Sequence, residues 1–168
     1  YAKFMREGSK FLQLEPPKDI YEAINSLLIF YKNVPSVTNY PVYLGNIDEL
    51  LEPFMDDVDE AQAKKLFKLF FTHIDRTVLD SFSHADIGPK ATRAGRLILE
   101  VERELLDAVP NITMKYDTDI TPDDFGIECV KTALKTAKPS FANHKMFKKE
   151  LGENYVIASC YNGLLLGG

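Results

Sequence analysis

Cys160 is the residue of this chain best placed to do chemistry. It follows the apolar run 155–159, and Tyr161, Asn162 and Gly163 come directly after it. A buried strand that ends in a small residue, a thiol and a glycine-bearing loop delivers the thiol to its carboxyl end, where α/β proteins hold their active sites. Cysteine is also among the most often buried residue types and commonly only fills space. Placement alone leaves both interpretations of Cys160 open.

Two further segments carry side chains suited to proton transfer or substrate binding. His84 and Asp86 follow a short strand candidate at 79–82, and they suit the roles of acid and hydrogen-bond partner to a substrate. The alternative is a turn in which Asp86 caps the helix that begins after Pro89. Asn143 is predicted to begin a loop, where it either braces the cysteine loop or binds substrate.

No set of residues in the sequence predicts a metal site. The acidic residues at 56, 57, 59 and 60 lack the glycine and the terminal glutamate of a calcium loop, so we interpret them as the acidic start of a helix. Cys129 falls within a predicted helix and is assigned to the core. Two cysteines give no framework of the kind found in secreted domains, which favours a reduced, cytoplasmic protein.

The elements that must position these residues follow from hydrophobic periodicity and turn signals. Helices are predicted over 19–34, 46–51, 59–75, 91–108, 121–137 and 145–151, and strands over 37–45, 79–82, 110–116 and 155–159. From residue 79 the order is strand, helix, strand, helix, strand, which implies parallel strands in right-handed βαβ units. We therefore predict an α/β chain: a mainly helical layer over 1–78, then an open half-barrel segment over 79–168.

Composition narrows the classes of function. The 168 residues are 45% hydrophobic and carry a formal net charge of −5, which argues against non-specific nucleic-acid binding because that requires a basic face. No signal peptide or membrane-spanning run is predicted. The chain opens on Tyr1 and closes on an apolar run over 164–168, so we expect it to be part of a larger protein.

Four segments between residues 110 and 160 resemble segments of the glycyl radical enzymes, in the same order. They are Pro110-Asn111-Ile112-Thr113-Met114-Lys115-Tyr116, Thr121-Pro122-Asp123-Asp124-Phe125, Pro139-Ser140-Phe141-Ala142-Asn143 and Tyr155-Val156-Ile157-Ala158-Ser159-Cys160. The segments Tyr40-Pro41-Val42-Tyr43-Leu44-Gly45-Asn46, Ser83-His84-Ala85-Asp86 and Ser159-Cys160-Tyr161-Asn162-Gly163-Leu164 are similar to the YjjI-like branch of that group.

The resemblance implies half of a ten-stranded α/β barrel with a finger loop inside it. The finger would present Cys160 as a thiyl radical that abstracts a hydrogen atom from an unknown small-molecule substrate. Tyr161, Asn162, His84, Asp86 and Asn143 are the residues expected to bind that substrate or to support the cysteine loop. Hydrogen-atom transfer needs no neighbouring base, which fits the lack of a Cys/His dyad.

The resemblance also implies components outside this chain. The family's glycyl radical lies in a C-terminal motif that these residues lack, and a separate radical-SAM activating enzyme installs it. We expect no cofactor bound to the chain itself, and we expect it to be inactive alone. The full protein is expected to be an oxygen-sensitive cytoplasmic homodimer of anaerobic metabolism, without a nucleic-acid or membrane partner.

Two departures from the family pattern leave the reaction open. Dehydratase members carry a base two residues after the cysteine, where this chain has Asn162, which hydrogen-bonds but takes up no proton. Formate-lyase members carry adjacent cysteines, where this chain has Ser159 before Cys160. One alternative is a non-catalytic α/β binding or assembly domain on the same scaffold. Another is a cysteine-nucleophile hydrolase with His84 or His144 as its base.

Overall fold

A computed structural model of the chain describes residues 1–33, 42–77, 83–108, 110–158 and 162–165. Within these ranges the helices are α1 (Ala2–Glu7), α2 (Ile20–Asn33), α3 (Ile47–Leu51), α4 (Glu60–Arg76), α5 (Arg93–Leu105), α6 (Asp123–Thr136) and α7 (His144–Leu151). The strands are β1 (Val42–Asn46), β2 (Ser83–Ile87), β3 (Asn111–Tyr116), β4 (Ser140–Asn143), β5 (Tyr155–Ala158) and β6 (Asn162–Leu165). None of the described helices has both the length and the apolar character required to span a bilayer.

The first four strands form one open sheet in the order β1-β2-β3-β4, and every neighbouring pair is parallel. Helices make the crossovers, with α3 and α4 between β1 and β2, α5 between β2 and β3, and α6 between β3 and β4. Parallel strands need such crossovers, because a tight hairpin can join only antiparallel neighbours. The chain is therefore a mixed α/β fold with helices flanking an open parallel sheet, consistent with the predicted half-barrel.

The two faces of this sheet differ in polarity. Alternate residues of a strand point to opposite faces. One face is apolar, belongs to the main hydrophobic core with the helices, and consists of Val42, Leu44, Ala85, Ile87, Ile112 and Met114. The other face is mainly polar and carries Tyr43, His84, Asp86, Thr113, Lys115 and Ser140. We call this second surface the inner face.

The helices over the apolar face form where their sequence favours them. In α4, apolar residues at helical spacing are all buried, namely Ala63, Phe67, Phe70, Phe71 and Ile74. The Asp59 side chain caps this helix by accepting a hydrogen bond from the Gln62 amide, so the acidic stretch before α4 is a helix start, as predicted. Thr92 caps α5 in the same way through the Gly95 amide.

Two predictions about the strands were wrong, and a third is not tested. The strand expected at 79–82 lies outside the described residues, and the strand described next along the chain is β2, which begins at Ser83. The loop expected at Asn143 is instead β4, a four-residue strand too short for periodicity to reveal. The strand expected at 155–159 as a third parallel strand is β5, which pairs antiparallel with β6 in a separate two-stranded sheet.

Candidate active site

A bulge in β1 brings two polar side chains to the inner face. Tyr43 pairs with His84 and Asn46 with Asp86, so two residues of β1 lie opposite a single residue of β2. The extra residue reverses the normal alternation, and Tyr43 and Asn46 come to lie on the same side of the sheet. Gly45 lies inside the bulge with a φ of 90°, a conformation that residues with a side chain rarely adopt.

Asp86 is the centre of a buried group of polar side chains on the inner face. It is fully buried, and its Oδ2 accepts a hydrogen bond of 2.8 Å from the Tyr43 hydroxyl. The Lys115 Nζ lies 3.1 Å from the same oxygen. Burial raises the pKa of the Asp86 carboxyl, while the Lys115 ammonium and the Tyr43 hydroxyl act in the opposite direction. Asp86 Oδ1 has no hydrogen-bond partner among the described residues.

Lys115 joins this carboxylate to two other elements. It is 4% exposed, and its Nζ donates to Asn46 Oδ1 at 2.8 Å. It also donates to the Tyr155 backbone carbonyl at 3.3 Å and lies 4.7 Å from the centre of the Tyr155 ring. We call Tyr43, Asn46, Asp86 and Lys115 the inner polar cluster. Every member has a hydrogen-bonded or charged neighbour in the cluster, which a buried ion pair needs in order to persist.

The hairpin formed by β5 and β6 rests on the inner polar cluster. The Ile157 amide lies 3.4 Å from Asp86 Oδ2, and the Tyr155 carbonyl accepts from Lys115. Ala158 pairs with Asn162 in the antiparallel ladder, so residues 159–161 connect these two paired positions along the chain. The sequence-predicted Cys160 and Tyr161 lie in that connection, outside the described residues, and Asn162 is the first residue of β6.

A small second core, next to the inner polar cluster, supports the same hairpin. Tyr155 is 2% exposed, and its hydroxyl lies 2.7 Å from His144 Nδ1. The Phe147 ring stacks on the Tyr155 ring with 5.5 Å between centroids. Ala142 and Ile157 complete this cluster of buried residues. The start of β5 is therefore held by an apolar contact on α7 and by the polar cluster on the sheet.

The structure brings two of the predicted site residues together and places a third elsewhere. His84 and Asp86 both lie on β2 and both face inward, where burial lowers the pKa of the His84 imidazole. The alternative in which Asp86 caps a helix was wrong, because α5 is capped by Thr92. Asn143 caps α7 by accepting a hydrogen bond from the Met146 amide, and it is exposed.

Sequence reasoning missed Tyr43, Asn46 and Lys115. Asn46 was expected to cap the helix at 46–51, but it makes no side-chain cap bond and accepts from Lys115 instead. The available signal was Lys115 itself, a charged residue inside a strand of otherwise buried character. A lysine at such a position requires a buried partner, and only the bulge explains why Asn46 reaches it.

Other buried ionisable groups lie away from the hairpin. Lys138 and Glu102 form an ion pair of 2.6 Å, and Lys138 also donates to the Pro110 carbonyl, at the amino ends of β3 and β4. Cys129 is fully buried on α6, where burial raises the pKa of its thiol to about 12, in agreement with its assignment to the core. Across the described ranges, no three His, Cys, Asp or Glu side chains are grouped so as to hold a metal ion.

These features define a class of α/β fold: a helix-backed parallel sheet whose polar face carries a hairpin, with a cysteine between the two hairpin strands in the sequence. The family model described as "Glycyl radical enzyme YjjI-like" matches residues 1–168, and the chain belongs to that family. It is 49% identical to an uncharacterized protein of Haemophilus influenzae over 98% of the chain and 32% of that protein. It is 42% identical to the uncharacterized protein YjjI of Escherichia coli, over the whole chain and 33% of that protein. The chain thus spans about a third of the length of these relatives.

Proposed function

We propose that this chain supplies the cysteine segment of a glycyl radical enzyme, and that Cys160 is its hydrogen-abstracting residue. The observation that carries the proposal is the docking of β5, the first strand of the hairpin, on the inner polar cluster. The two strands flank Cys160 in the sequence; β5 is hydrogen-bonded to a buried ion pair, and β6 pairs with β5. An enzyme that controls a thiyl radical needs such a rigid, water-poor support, because stray donors quench the radical.

The proposed reaction begins with a hydrogen atom leaving Cys160 Sγ. A glycyl radical on a segment outside these 168 residues, installed by a radical-SAM activase, would supply the unpaired electron and would accept that hydrogen atom. Cys160 Sγ then takes a hydrogen atom from a substrate C–H bond, which restores the thiol and leaves a carbon-centred substrate radical. Return of a hydrogen atom from Cys160 to the product radical closes the cycle, and no proton acceptor is consumed.

The contacts of His144, one of the two candidate bases, favour atom transfer by Cys160 over nucleophilic attack. A cysteine nucleophile needs a base within hydrogen-bond reach. His144 Nδ1 is committed to the Tyr155 hydroxyl, and the pKa of the His144 imidazole is lowered, chiefly by burial. A hydrogen-atom donor requires only that its Sγ be held close to the glycine and the substrate. The hydrogen bonds that hold β5 support such a role for Cys160.

The test uses electron paramagnetic resonance and needs no knowledge of the substrate. The full-length protein is activated without oxygen, and the expected signal is a doublet, because the unpaired electron couples to the single hydrogen left on the glycine Cα. In D2O the thiol becomes S–D, and reversible transfer through Cys160 places deuterium on that carbon. The doublet should therefore collapse towards a single line in the wild-type protein and keep its splitting in Cys160→Ala.

Cys129→Ala is the matched control, since Cys129 is the other cysteine of the chain and lies in the core. Its doublet should collapse at the wild-type rate. A protein that never develops the doublet would support the non-catalytic binding or assembly domain instead. Collapse that proceeds equally well in Cys160→Ala would exclude Cys160 as the relay and refute the proposal.

A further inference from the structure

We propose that Asp86 and Lys115 are positioning residues that set the place of Cys160 by holding the backbone of β5. This inference rests on the proposed function, because it assigns the support of the same cysteine. Neither residue is required to touch the substrate. Their task is to fix the start of the hairpin relative to the parallel sheet.

The contacts that carry the inference lie on two neighbouring peptide groups. Lys115 Nζ donates to the Tyr155 carbonyl at 3.3 Å, and the Ile157 amide lies 3.4 Å from Asp86 Oδ2. Lys115 therefore supplies a donor to a carbonyl of β5, and Asp86 supplies an acceptor to an amide of the same strand. The ion pair thus holds both kinds of backbone hydrogen-bonding group in β5. Ile157 is three residues before Cys160 in the sequence.

The ion pair is itself fixed from the sheet side. Tyr43 donates to Asp86 at 2.8 Å, and Asn46 accepts from Lys115 at 2.8 Å. Both charged side chains are at least nine-tenths buried, so they cannot exchange these partners for water. Three strands of the sheet, β1, β2 and β3, thus converge on one point of the hairpin. A scaffold of this kind is stiff because each of the four side chains of the cluster has a specified partner.

The expected consequence for the reaction is large. Atom transfer depends steeply on the distance between donor and acceptor, and a misplacement of about 1 Å costs on the order of 100-fold in rate. Replacing Lys115 by methionine keeps an unbranched side chain one atom shorter and removes the hydrogen bonds to Tyr155 and Asn46. We expect deuterium to enter the glycyl position at least about tenfold more slowly in Lys115→Met than in the wild type.

The experiment compares variants of the activated full-length protein in D2O at equal glycyl radical content. The measured quantity is the rate constant for collapse of the doublet. Asp86→Asn is the second variant, and it keeps the side-chain volume while removing the charge. It provides the test if Lys115→Met does not accumulate as folded protein. It should also slow the collapse, because the amide no longer holds the Lys115 ammonium.

Lys138→Met is the matched control. Lys138 and Glu102 form another buried ion pair among the described residues, but they lie at the amino ends of β3 and β4, where Lys138 donates to the Pro110 carbonyl and not to β5. Loss of that pair lowers stability as well, so it reproduces the general effect of opening a buried ion pair. It should leave the rate of collapse within about twofold of the wild type.

The outcomes separate the two proposals. If Cys160→Ala abolishes the collapse and Lys115→Met slows it while Lys138→Met does not, the positioning role is supported. If Cys160→Ala abolishes the collapse but Lys115→Met and Asp86→Asn exchange at the wild-type rate, the positioning role is refuted and the proposed function stands. If Lys138→Met slows it as much as Lys115→Met, the effect is general destabilisation and the inference fails. Collapse without Cys160 refutes the proposed function first.

Discussion

The buried ion pair between Lys138 and Glu102 allows a sharp prediction about stability. Lys138 is 6% exposed and Glu102 is 1% exposed, and Lys138 Nζ lies 2.6 Å from Glu102 Oε2. Lys138→Met removes the ammonium that pairs with the Glu102 carboxylate, together with its hydrogen bond to the Pro110 carbonyl. Leaving a buried charge without its partner costs about 3–5 kcal/mol. Lys138→Met should therefore lower the free energy of unfolding by about that amount at neutral pH.

The sign of the pH dependence follows from Glu102. Burial raises the pKa of its carboxyl, with Lys138 opposing the shift, so removing the lysine raises that pKa further. A group whose folded-state pKa is above its unfolded value stabilises the fold below the unfolded pKa, and it loses that contribution as pH rises through the folded pKa. The destabilisation in Lys138→Met should therefore be largest at neutral pH and should shrink as the pH falls towards 5.

Urea unfolding of the 168-residue chain, followed by circular dichroism at several pH values, gives the free energies. The double variant Glu102→Leu/Lys138→Met should recover to within about 1 kcal/mol of the wild type, because no buried charge remains. Lys148→Met is the exposed control, since Lys148 and Glu153 lie 2.7 Å apart in solvent and should show no measurable change. Equal losses in Lys138→Met and Lys148→Met would refute the argument that burial decides the cost.

The remaining predictions concern two buried positions near the carboxyl ends of the strands. Gly88 has a φ of 75°, and an added Cβ would lie 2.7 Å from a methionine sulfur on β3, so Gly88→Ala should cost about 1–3 kcal/mol in urea unfolding. Gly126→Ala, within α6, should be neutral or stabilising by up to about 1 kcal/mol, and a loss there equal to that at Gly88 would contradict the reasoning. Burial raises the pKa of Asp48 to about 7. As the pH rises from about 4 to 7, the free energy of unfolding of the wild-type chain should therefore fall by about 1.4 kcal/mol per pH unit relative to that of Asp48→Asn. Parallel pH profiles for the wild type and Asp48→Asn would show that Asp48 is ionised throughout.

The helices and the class of fold were predictable because their signals are local. The long apolar stripe of α4 and the strand at 111–116 stand out by period alone, and the structure places them close to the predicted bounds. The parallel arrangement followed from the helices between strands. The short strand β4 and the antiparallel pairing of β5 did not follow. Four residues carry too little periodicity, and pairing direction depends on which strands already occupy the sheet.

The candidate site was predictable only in part, for a related reason. His84 and Asp86 were chosen for their chemistry, and they do lie on the inner face. Lys115 was passed over because its neighbours in the sequence are apolar and its partners are distant along the chain. The contact between Asn46 and Lys115 spans 69 residues and depends on a bulge created by one extra residue in β1. Neither the composition nor the spacing of residues in the sequence could have predicted this contact.

The inner polar cluster also sets an order of assembly. The hydrogen bonds that dock β5 join residues 40 and 71 positions apart, whereas β5 and β6 pair with each other over a few residues. Contacts that are distant along the chain form late, because the entropy of closing long loops must be overcome first. We therefore expect the hairpin to form early and to dock late, once β1, β2 and β3 have paired. Docking of the hairpin would then report that the sheet is complete, and a misfolded or truncated chain would lack the support that the proposed function requires.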